Sequence, residues 1–109
     1  MTGKAKRTAE VHTLLVEVGR RKGDGLPDGA TGGALLVYAA GIDEAEAVRE
    51  TVALLQTADL AVLEVAGHGS LSEREAAGEM IAPEERALMA RALAENAVIV
   101  AQVTPFFGD

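Results

Sequence analysis

Apolar residues recur along this chain in two rhythms, and the switches between them mark out its elements. From Glu10 to Val18 the period is two: His12, Leu14, Val16 and Val18 point one way, and Val11, Thr13, Leu15 and Glu17 the other. The first set reads as core-facing. The second is only half polar, so this strand has a second face that something must cover. Ala34 to Ala39 is a short apolar run, broken by Gly41-Ile42-Asp43, and Glu44 to Gln56 changes to a helical period. Ala45, Val48, Val52 and Leu55 form its apolar stripe, Asp43 is a good N-cap, and Glu44 and Glu46 suit the positive end of the helix dipole. Thr57-Ala58-Asp59 stops this helix, and Leu60 to Ala66 is apolar again. Strand, helix and strand joined by short connections are the pattern of a βαβ unit, and the chain is arranged around it.

Beyond it, Gly67-His68-Gly69-Ser70 reads as a turn. Ser72-Glu73-Arg74-Glu75 has capping-box spacing and predicts a short helix over 73–80, weakened by Gly78. An edge strand over Ala76 to Ile81 is the alternative. Pro83 suits a first helical position, and Leu88, Met89, Ala92 and Leu93 give the next helix its buried stripe, with Asn96 at its end. Ala97 to Val103 is the last strand, with Val98 and Val100 on one face and Ile99, Ala101 and Val103 on the other.

One domain over 1–109 is expected, of α+β class. The arrangement that fits is a two-layer sandwich of ferredoxin-like type: a mixed four- or five-stranded sheet with two or three helices on one face. Residues 1–9 read as a flexible tail. Gly19 to Gly33 reads as a long Gly-rich loop at a hairpin tip, and residues 104–109 as a C-terminal aromatic tail.

Composition changes this picture in three ways. Aromatic residues are 3% of the chain, so the core is aliphatic. The formal charge of −7 opposes contact with phosphate backbones, and no nucleic-acid partner is expected. Cysteine is absent, which excludes disulfides, thiol nucleophiles and thiolate metal sites. No apolar stretch approaches the roughly 20 residues that span a bilayer, and no leader pattern follows the basic start. No membrane partner and a cytoplasmic location are therefore expected.

Candidate chemistry is sparse. A phosphate cradle needs glycines that open a helix, whereas Gly32-Gly33 runs into a strand. His68, flanked by glycines, is an accessible general base or ligand in form, with Glu64 nearby in sequence; His12 lies on the apolar face of the first strand. His68, His12 and Glu64 are the catalytic candidates. They lack metal-ligand spacing, so no metal and no cofactor are expected. Glu73, Glu75, Glu79, Glu84 and Glu85 read as helix N-terminal charges.

Phe106 and Phe107 stand outside any periodic element, and burying a phenylalanine gains about 2 kcal/mol. With the apolar second faces of the outer runs, they suggest a homodimer interface of Phe106, Phe107, Val11 and Leu15. The reading that follows is a non-enzymatic homodimeric binding or regulatory module with a protein partner. A small-ligand enzyme or sensor, with a pocket between the sheet face and the 19–33 loop, is the alternative. An acidic inhibitor of a basic partner is a third.

Overall fold

A computed structural model describes residues 8–108; most of the tail expected over 1–9, up to residue 7, lies outside the described residues. The chain runs β1 (Glu10–Val18), β2 (Ala30–Gly41), α1 (Glu44–Thr57), β3 (Val62–Ser70), α2 (Leu71–Ala76), α3 (Pro83–Glu95) and β4 (Val98–Phe107). It is an α+β fold with one four-stranded sheet in the order β3-β1-β2-β4. All three pairings are antiparallel, so the sheet is not mixed. β2 and β3 run in the same direction with β1 between them, and α1 makes the crossover. The order β-β-α-β-α-α-β also differs from the β-α-β-β-α-β succession of a ferredoxin-like domain.

The helices lie on both faces of the sheet, which corrects the two-layer expectation. Leu14, Val16, Val18, Leu35, Val37 and Ala39 pack with Ala47 and Leu55 of α1 in one core. Val11 and Tyr38, on the opposite face, pack with Met89 and Ala92 of α3 in a second core, flanked by Leu36, Leu71, Ile81, Ile99 and Ala101. The apolar second faces that suggested a second subunit are thus covered in large part by the chain's own α3. A strand buried on both sides cannot keep a clean polar alternation, and β1 and β2 do not.

Asp43 caps α1 as expected, its carboxylate accepting from the Glu46 N–H at 2.9 Å. The buried stripe is Ala47, Thr51 and Leu55, with Ala45 exposed. The capping box sits one turn-residue pair earlier than its predicted place. Ser70 accepts from the Glu73 N–H, Glu73 accepts from the Ser70 N–H, and α2 spans only one and a half turns before Gly78, at φ 84°, ends it. α3 opens with Pro83 in its first turn and closes on Asn96 in the left-handed region.

The segment after β1 is not a loose tip. β2 already begins at Ala30, and Arg20 gathers the turn by donating to Asp24 Oδ2 at 2.9 Å, to the Pro27 carbonyl at 3.1 Å and to the Ala30 carbonyl at 2.5 Å. Asp24 also accepts the N–H groups of Arg21 and Leu26, and these donors, Arg20 first, hold its carboxyl down to about 2. Leu26 is buried in the α1-side core. The aromatic tail is not separate either, since β4 continues to Phe107, with Gly32 opposite Phe106 and Ala30 opposite Phe107.

Candidate functional site

α2 and α3 roof only part of their face of the sheet. Side chains alternate along β1, so Val11, Thr13, Leu15 and Glu17 lie in one row on this face. Val11 and Thr13 are buried under the helices, and Leu15 is 41% exposed. Where the roof stops, a trough opens. Its two adjoining compartments of about 340 Å3 each share Leu15 as floor. The compartment beside the helices is lined by Leu36, Thr13, His68, Arg74, Glu79 and Glu85. The outer compartment is lined by Glu17, Ala34, Glu64, Ala66 and Phe106.

The roofed end is held by one network. Arg74 of α2 donates from Nη1 to Thr13 Oγ1 and to Glu85 Oε2, and from Nε to Glu79 Oε1, each at 2.9 Å. Tyr38 donates its hydroxyl to the same Glu85 Oε2 at 2.7 Å. Strands β1 and β2 and helices α2 and α3 are therefore tied through a single guanidinium. The Tyr38 hydrogen bond, followed by Arg74, keeps the Glu85 carboxyl below its ordinary range against the opposing effect of burial. Burial, and then the Glu85 carboxylate, push the Tyr38 phenol up to about 12.

That shift has a readable consequence, because Tyr38 is the chain's one tyrosine and there is no tryptophan. The fold favours the neutral phenol, so its contribution to stability is whole below the ordinary value of 10.0 and is lost as pH rises towards about 12. Tyrosinate absorbance is expected to titrate with a midpoint near 12 in the folded protein, and near the ordinary value in denaturant. An ordinary midpoint under native conditions would remove the Tyr38–Glu85 contact from the account.

The three catalytic candidates do not converge. His12 points to the α1 side, is 5% exposed, and donates from Nε2 to the Gly41 carbonyl at 3.1 Å. Its Nδ1 is buried and has no hydrogen-bond partner among the described residues. His68 lines the trough on the other face, and Glu64 lines its outer compartment, opposite Glu17 across the β1–β3 pairing. Among the described residues no group of three or more His, Asp or Glu side chains could hold a metal ion. Of the expected interface residues, Val11 is buried under α3, Leu15 floors the trough, Phe106 is its outer wall, and Phe107 stands exposed on the other side of β4.

Sequence reasoning missed Thr13, Tyr38, Arg74 and Glu17, and it treated Glu79 and Glu85 as helix-end charges although both are partners of Arg74. Tyr38 carried a usable signal: a lone tyrosine inside an apolar strand has to place its hydroxyl on a partner.

A family model described as "Domain of unknown function (DUF8846)" matches residues 11–107. No curated protein and no solved structure matches the chain. Among the described residues no helix is long and apolar enough to cross a membrane.

Proposed function

The chain belongs to the family of that domain of unknown function, and we propose that it is a small, non-enzymatic cytoplasmic module that binds a largely apolar ligand of small-molecule size in the trough. One observation carries the reading: the helical roof stops at Leu15, leaving a concave apolar floor with polar groups at its two ends. Small-molecule sites have this make-up and occupy roughly 300–1,000 Å3. Binding rather than turnover is favoured because Arg74, Glu79, Glu85 and Tyr38 are engaged with one another and hold the shape of the site. The 19–33 segment takes no part, since it packs Leu26 on the α1 side. Titration with 1-octanol is expected to move the Leu15, Leu36, Ala34 and Ala66 methyl resonances together, with a dissociation constant on the order of a millimolar. Ala34→Phe, which fills the floor, should weaken binding about tenfold or more, as each ~1.4 kcal/mol is a factor of ten. Methyls that stay fixed throughout would overturn the reading.

A second reading, of a homodimer, is favoured by β4. It is a sheet edge of 10 residues without a charged side chain, and Val100, Val103, Phe106 and Phe107 are all exposed on it. Exposed edges of monomers are usually blunted by charge, and an antiparallel edge can pair with its own copy about a two-fold axis. Val103→Lys is expected to convert a dimer to a monomer in size-exclusion chromatography over a dilution series, with circular dichroism unchanged. A wild-type protein that elutes as a monomer throughout would contradict it.

A further inference from the structure

Resting on the trough as the binding site, we infer that its ligand is an amphipathic organic cation. A basic group sits between Glu17, Glu64 and Phe106, and an apolar body lies over Leu15 towards Leu36. Glu17 and Glu64 are direct partners on neighbouring strands and project from the same face. Like charges placed opposite each other destabilise a sheet. Among the described residues neither carboxylate takes part in a hydrogen bond or ion pair, so this repulsion has no internal counter-charge.

Their surroundings raise the gain from a cationic occupant. The floor between them and the roof is Leu15, Ala34 and Ala66, and charges beside an apolar surface that sheds water interact more strongly than in bulk solvent. Phe106 lines the same compartment, and an aromatic ring is a favourable neighbour for a cation. At the other end the lining guanidinium, Arg74, already donates to Thr13, Glu79 and Glu85, so among the described residues an acidic ligand meets only the His68 imidazole there. The lining as a whole carries Glu17, Glu64, Glu79 and Glu85 against Arg74 and the His68 imidazole, and the chain's net charge of −7 favours cations near its surface.

Octylammonium, 1-octanol and octanoate share one chain length and differ in charge, and each is titrated into the full chain at neutral pH and low salt with methyl shifts as the readout. Octylammonium is expected to bind about tenfold more tightly than 1-octanol, as expected for one cation near two carboxylates at a partly desolvated surface. Octanoate should be the weakest. Glu17→Gln with Glu64→Gln should abolish the advantage of octylammonium over 1-octanol, with thermal melting confirming that the variant is folded. If octylammonium and 1-octanol bind alike at the Leu15 and Leu36 methyls, the cationic class is wrong and the trough stands. Octanoate binding most tightly would also overturn the class. If none of the three moves those methyls, the inference and the reading beneath it both fail.

Discussion

Val11→Asp is expected to unfold the domain at neutral pH. Val11 is 2% exposed and packs with Tyr38, Met89 and Ala92 beneath α3. A carboxylate there has no partner, and burying an unpaired charge costs at least about 4 kcal/mol, a large share of a total stability of about 5–15 kcal/mol. The informative control is Leu15→Asp. It lies on the same strand and the same face, four residues on, but past the end of the roof at 41% exposure. That change should cost about 1 kcal/mol or less, because the new carboxylate stays in water. Urea unfolding of the pair reads the boundary of α3 on the sheet. A Val11→Asp protein that melts like the wild type would take α3 off that face.

The second large effect falls on Arg74. Arg74→Ala leaves Glu85, Glu79 and Thr13 without their shared donor, and removing one partner of a buried pair commonly costs about 3–5 kcal/mol. Here the side chains of Arg74, Glu85 and Glu79 are 12%, 21% and 47% exposed, so solvent screening brings the expectation down to about 2 kcal/mol. Adding Glu85→Gln should recover part of the loss, which a double-mutant cycle measures as coupling. The pH dependence has a definite sign. Because the fold lowers the Glu85 pKa, its stabilisation is present above the ordinary carboxylate value of 4.5 and disappears as pH falls through the lower folded value. In Arg74→Ala only the parts due to the Tyr38 hydroxyl and the Ala82 backbone N–H remain, so the acid loss of stability should shrink. A variant as stable as the wild type, with an unaltered acid limb, would show that the network does not hold the roof.

Most strands and helices were legible in the sequence, although Gly67-His68-Gly69-Ser70, which reads as a turn, is the end of β3. The period of two from Glu10 to Val18 gave β1 with its observed ends, and Asp43 and Pro83 marked the starts of α1 and α3. What the pattern concealed was the side of the sheet on which each helix lies. Met89 and Ala92 declare a buried stripe, but a stripe does not say which face it covers, and a sheet buried on both sides blurs its own alternation. Residues 104–107 looked like a tail because Pro105 breaks strand propensity; at a sheet edge proline is tolerated, and β4 runs through it. The trough was hidden for a similar reason. Thr13, Tyr38, Arg74 and Glu85 come from four elements, and only the three-layer arrangement brings them to one end of it. Glu17 and Glu64 meet through strand register, which short apolar runs do not specify.

Binding in the trough is defined by where the ligand sits. Intermolecular nuclear Overhauser contacts from bound octylammonium locate it directly. The expected contacts run from its alkyl protons to the Leu15 and Leu36 methyls, and from the protons next to its nitrogen to the Phe106 ring. Contacts instead to Leu54, Val100, Val103 and Phe107, the exposed apolar residues along α1 and the far side of β4, would contradict it.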